Sequence, residues 1–185
     1  MSCLITAGRS EQCKDTISGI FAVYLINYGI APEDVTYNTV GNEPDEILSI
    51  ANVSDLYKFE LKGANMFDQT INSSRANGTT FFTQTLTMQM KRQDVEMHRN
   101  IKNIAYGRPH AVIHTRNNLW FLMGLDEGAD VSAGKISTGT EYADFAGYEL
   151  TLEANTKIPA NFLACTSETE LATNVFGGAN IVVDV

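Results

Sequence analysis

A change of hydrophobic period in the middle of the chain sets the tightest limit on its fold. From Thr79 to Met90 the residues alternate, with Leu86, Met88 and Met90 on one face and Thr83, Thr85, Thr87 and Gln89 on the other. That is the pattern of a long, half-buried strand. The period then shifts. From Asp94, a side chain suited to an N-cap, Met97, Ile101, Ile104 and Ala105 recur at i, i+4, i+7 and i+8, one apolar stripe on a helix over about residues 94–106. Gly107 and Pro109 close it, glycine at the C-terminal cap and proline just beyond.

Strand patterns flank this switch on both sides. Ile20 to Ile26 is an apolar, β-branched and aromatic run ended by Asn27 and Gly29, which predicts a buried strand. Ala31 to Asp45 is rich in Pro, Gly, Asn and acid and predicts a surface excursion with a short strand at Val35 to Val40. Leu56 to Lys62 alternates, Tyr57, Phe59 and Leu61 on a dry face and Lys58, Glu60 and Lys62 on a wet one. Gly63 to Gly78 holds only Met66, Phe67 and Ile71 as large apolar residues and predicts an extended loop or a polar hairpin tip. After the helix, His110 to Thr115 and Leu119 to Leu125 predict a hairpin turning at Asn117-Asn118, since Asn tolerates left-handed backbone. Asp126 to Thr140 is expected to cross the surface, and Phe145 to Ala154 alternates with Tyr148, Leu150 and Leu152 inward. The polar tail from Thr166 and the run Ile181 to Val183 beyond Gly177-Gly178 predict a C-terminal arm over residues 166–185, whose last strand has two partners open to it, the domain's own sheet or a neighbour's exposed edge.

Bulk composition narrows the function. The 185 residues, 44% hydrophobic, suffice for one cored domain spanning 1–185. The net charge of −9 argues against a nucleic-acid or anionic-membrane binder. Met1 to Arg9 lacks the apolar core of a secretory signal, and the longest apolar run, Leu119 to Leu125, is far shorter than a membrane span. Cys3, Cys13 and Cys165 are too scattered for a disulfide framework and are read as free thiols. No GxSxG, Walker A, GxGxxG or HExxH pattern occurs. His110 and His114 share a strand face without a third ligand nearby, and are expected to be exposed or interfacial; His98 is expected at a solvated position on the helix. The reading is therefore a non-enzyme without catalytic, metal or cofactor residues.

The order of elements from Leu56 to Leu163, through TTFFTQTLTMQMKRQDVEMHRNIKNIAYGRP, HAVIHTRNNLWFLMGL and DFAGYELTLEANTKIPANFL, resembles the tail-tube, or major tail, proteins of tailed bacteriophages. These share a fold with inner-tube proteins of contractile injection systems. The resemblance implies a β-rich α+β subunit, an antiparallel β-sandwich or barrel with one flanking helix. It also implies a virion structural protein, assembled in the host cytoplasm into stacked hexameric rings whose acidic bore passes DNA without specific binding. Met66, Phe67, Ile71 and Arg75 on the 63–78 excursion, and Ile181, Val182 and Val183, are then the expected contacts between subunits. Glu149 and Glu153, with Glu60, are the expected bore-lining carboxylates. The blocks SCLITAGRSEQCKD and GGANIVVDV have no place in that pattern. A head-decoration or neck protein is the alternative, and a small β-rich enzyme or ligand-binding protein the third reading.

Overall fold

The structure, a computed structural model, describes residues 8–11, 13–38 and 46–183. In chain order these form β1 (Ile20–Ile26), β2 (Val35–Tyr37), β3 (Glu46–Ile50), β4 (Asp55–Glu60), β5 (Met66–Ser74), β6 (Thr79–Lys91) and helix α1 (Val95–Tyr106). Then follow β7 (His110–Thr115), β8 (Trp120–Met123), β9 (Asp130–Ser137), β10 (Gly147–Thr156), β11 (Asn161–Leu163) and β12 (Asn180–Val182). Two sheets result, an eight-stranded one in the order β12-β4-β1-β7-β8-β11-β3-β2 and a four-stranded one in the order β5-β6-β10-β9. The chain is thus β-rich, a sandwich with a flanking helix and no closed barrel.

The wide sheet is buried on both faces around β1, which explains why β1 is a continuous apolar run. Ile20, Val23 and Leu25 meet the narrow sheet and α1 through Leu86, Met88, Leu150 and Ile101. Ala22, Tyr24 and Ile26 meet a second core built with Leu171, Val175 and Phe176 from the C-terminal segment. α1 is capped as its sequence predicts, Asp94 Oδ1 accepting from the Met97 N–H at 2.7 Å. Ile101 is buried and Met97 and Ile104 half-buried, but Ala105 faces solvent, so the apolar stripe is narrower than expected. Gly107 ends the helix in extended backbone, where a Cβ would lie 3.0 Å from the Asn103 carbonyl oxygen. The β7–β8 hairpin turns through Asn118 at φ 57°, in the left-handed region.

Three expectations are corrected, and one alternative is resolved. Within Gly63 to Gly78 the hairpin forms and the long loop does not: β5 runs nine residues along β6, leaving only the turn at 75–78. Its alternation is hard to see because it is an edge strand whose outward side chains are Asp68, Thr70 and Asn72 and whose inward row contains Gln69 and Ser73. The segment Asp126 to Thr140 contains a true strand, β9, paired with β10 over Asp130–Ser137. The described part of the C-terminal arm is no arm: a helical turn (Glu168–Glu170) and a π-helical turn (Leu171–Val175) bury Leu171, Val175 and Phe176, while β12 takes the own-sheet alternative and pairs in parallel with β4. On β4 the wet face is half wrong. Lys58 lies under that C-terminal cover, its side chain 11% exposed, while Tyr57 on the supposed dry face is 37% exposed. β2 covers Val35–Tyr37, and the remainder of its predicted extent falls partly outside the described residues.

Candidate assembly surfaces

A polar bolt joins the two sheets. Gln84, in the inward row of β6, donates from Nε2 to Thr156 Oγ1 at 2.8 Å, and its Oε1 accepts from the Gly124 N–H at 3.0 Å. The Gly124 carbonyl accepts from His110 Nδ1 at 2.7 Å, which leaves Nε2 to accept from the N–H groups of Gly29 and Ile30, both at 3.4 Å. His110 is therefore fully buried, neutral and stacked on Tyr28, the reverse of the exposed histidine expected. Burial depresses its pKa, against the pull of the Gly124 hydrogen bond. Gly128 at φ 76° brings the same loop within reach, since a Cβ there would sit 2.4 Å from the Arg108 carbonyl oxygen. His114 is half-buried, its ring 3.7 Å from that of Trp120. His98 is exposed on α1, with its ring 6.3 Å from that of Tyr148.

A second cluster fastens the C-terminal cover. Lys58 Nζ lies 2.9 Å from Glu168 and 3.4 Å from Glu60, beside buried Tyr24. Burial alone would lower the Lys58 pKa, but the Glu168 and Glu60 carboxylates hold it above its ordinary value. Burial and the nearby Glu168 push the Tyr24 phenol up. The Cys165 thiol is pushed up to about 12 by burial and then by Glu170, so it stays protonated, whereas the free thiol of Cys13 is exposed. Cys3 lies outside the described residues.

Among the described residues no three His, Cys, Asp or Glu side chains gather to hold a metal ion, and no helix is long and apolar enough to cross a membrane. A groove of about 820 Å³ runs between α1 and the β4–β12 edge. Tyr57, Phe59, Met97, Ile104 and Val182 contribute its apolar lining; of its four cations, Lys58, Lys91, Arg92 and Arg108, Lys58 and Arg108 pair with carboxylates.

The expected contact residues fall in two places. Met66, Phe67 and Ile71 lie on β5, an edge of the narrow sheet, and exposed Arg75 begins its turn. Met66 and Ile71 are 51% and 66% exposed, while Phe67 turns inward to Phe121 at 6.0 Å between ring centroids. Ile181 is partly buried against the chain's own core, and only Val182 and Val183 stay open. The three expected carboxylates do not share a surface. Glu149 and Glu153 stand half-exposed on the outer face of the narrow sheet, whereas Glu60 pairs with Lys58 near the C-terminal cover of the wide sheet.

That outer face was only partly legible. Register places Thr70, Thr83, Thr85, Thr87 and Thr151 across it, with Asp68, Asp130, Glu149 and Glu153 against Lys91 and Lys135. A side-chain ladder crosses it, Asn72 Nδ2 donating to Thr83 Oγ1 at 2.9 Å and Thr83 Oγ1 to Asn155 Oδ1 at 2.8 Å. No family model, curated protein or solved structure matches the chain.

Proposed function

We propose that this chain is a structural subunit that joins copies of itself through the two free edges of its four-stranded sheet, as a tail-tube protein does. The observation that carries this reading is the stagger of that sheet. β5 lies opposite Thr79–Thr87 of β6, whereas β9, followed through β10, reaches the level of Thr85–Lys91. The strand midpoints, near Thr83 and Met88 of β6, are thus about five residues apart, or ~17 Å along the strands over a four-strand repeat of ~19 Å. If β9 of one copy pairs with β5 of the next, strands tilt by about 40° to the ring axis, within the range of roughly 35–45° found in closed barrels.

Strand parity supports the same arrangement. All three pairings in the sheet are antiparallel, and with four strands a β9-to-β5 junction is antiparallel as well. The head-to-tail contact closes by rotation. An eight-stranded layer packed about 10 Å from a four-stranded one also has the taper of a ring segment, wide outside and narrow inside. The narrow sheet then faces the bore and presents threonines with a carboxylate excess, a hydrogen-bonded, weakly repulsive wall against a polyanion. On this reading the rings are hexameric and stack into a tube for DNA in a virion tail, as the resemblance implies.

Electron microscopy of purified protein in negative stain tests it, with rings or tubes as the expected result. Ile136, inward on β9 and 50% exposed, supplies the control. An inward lysine on an edge strand opposes pairing with another sheet. Ile136→Lys should therefore abolish assembly and leave a folded monomer. Isolated rings without tubes would favour a neck protein, and capsid-bound trimers a head-decoration protein. Unaltered assembly of Ile136→Lys would sink the edge-pairing account.

A further inference from the structure

The wide sheet projects past β5, and the strip it leaves uncovered is apolar. Phe121, Phe162 and Glu46 stand side by side across β8, β11 and β3 on the face toward the narrow sheet. Phe121 touches Phe67 and Phe162, with ring centroids 6.0 and 4.7 Å apart. Phe162, Leu48 and Ile71 remain 43%, 41% and 66% exposed, more apolar surface than an isolated side chain leaves. Glu46 closes the row at its far end, hydrogen-bonded by Asn38 Nδ2.

At the opposite flank α1 lies beside β9, tied there by Gln93 Nε2 donating to the Ser137 carbonyl at 2.7 Å. Opposite its buried stripe runs a ridge of Val95, Arg99, Lys102 and Tyr106, spaced four, three and four residues apart on one helix face. Val95 is 82% exposed and Tyr106 83%. On a chain of net charge −9, this ridge sets two cations between two bare apolar side chains.

We infer that the Phe162 strip is the seat for helix α1 of a neighbouring copy. The inference rests on the edge pairing proposed above: when β9 of one copy meets β5 of the next, the helix beside β9 arrives at the strip beside β5. Val95 and Tyr106 cover aromatic surface, and Arg99 or Lys102 meets Glu46, the charge that ends the row. The helix thereby makes the outer half of a junction whose inner half is the strand pair.

Sedimentation of the full chain over a concentration series provides the test. Val95→Ser with Tyr106→Ser alters only exposed positions, so the thermal midpoint should hold while the concentration for half-assembly rises roughly ten-fold or more. Arg99→Glu with Lys102→Glu should also weaken assembly, and adding Glu46→Lys should restore it by re-pairing the charges. A wild type that assembles with an unchanged midpoint concentration in Val95→Ser/Tyr106→Ser, or charge reversal without rescue, overturns the seat alone. A wild type that stays monomeric throughout overturns the edge-pairing reading and the seat with it.

Discussion

The two sheets follow opposite rules at their edges. In the wide sheet β1 and β7 are buried on both faces, and the chain itself finishes the β4 edge by laying β12 along it. In the narrow sheet one face is dry and one wet, and both outer strands end the ladder with apolar side chains in the open: Met66 and Ile71 on β5, Ile136 on β9. Protected edges belong to a unit that folds alone. Long bare edges are a liability unless something pairs with them. The contrast separates what folds this chain from what, on our proposal, joins copies of it.

The largest effect should come from attacking the wide sheet. Truncation after Thr173 removes Val175, Phe176 and β12, all packed on or paired to that sheet. Loss of one buried aromatic costs about 3–5 kcal/mol, so the truncated chain should lose cooperative unfolding in a denaturant titration. A truncated chain that unfolds at the normal midpoint would break the comparison, because the C-terminal cover would then be dispensable to folding.

A smaller effect belongs to the bolt between the sheets. The folded pKa of His110 is depressed, so below the ordinary histidine value near 6.5 the unfolded chain binds more protons than the folded one. Stability is therefore full above that value and falls as pH drops through the window toward the folded pKa. The slope approaches about 1.4 kcal/mol per pH unit for one group. His110→Gln should be less stable at pH 7, because the Gly124 carbonyl and the Gly29 and Ile30 amides lose their partner, yet show a flatter dependence between pH 6.5 and 5. An equally steep dependence in the variant would assign the acid sensitivity elsewhere, with half-buried His114 the next group to test.

The smallest effect on folding belongs to the wet face of the narrow sheet. Glu149→Lys with Glu153→Lys changes half-exposed residues of β10 and should leave assembly intact. Tubes carrying both lysines should retain duplex DNA at low salt and release it as salt rises, since each new cation captures a phosphate and frees its counterions. Tubes that pass DNA as the wild type does, at low and high salt alike, would place these carboxylates away from the bore.

What the sequence disclosed follows the same division. β1, β6, α1, the β7–β8 hairpin and β10 were legible because each has a buried side that imposes a period or an apolar run, and Asp94 and Gly107 mark the helix ends. β5 was legible only as one of two alternatives and β9 was not, because edge strands with polar or glycine-containing inner rows, such as Gln69, Ser73 and Gly134, carry little alternation. The C-terminal cover escaped because its apolar residues, Leu171, Val175 and Phe176, are embedded among polar ones and follow a π-helical turn. Gln84 and His110 were missed as a pair: they are far apart in sequence and are joined only through the backbone of Gly124. The staggered edges could not be read at all, since register across four strands is a property of pairing and not of any one segment.

Amide hydrogen exchange, compared between dilute and assembled protein, tests the central claim most directly. The account predicts that assembly adds protection along β5 and β9, whose outer N–H groups lack ladder partners within one copy, while β2 and β12 at the margins of the wide sheet exchange as before. Protection gained at β2 or β12 with β5 and β9 unchanged would contradict it, and would move the junction between copies to the wide sheet.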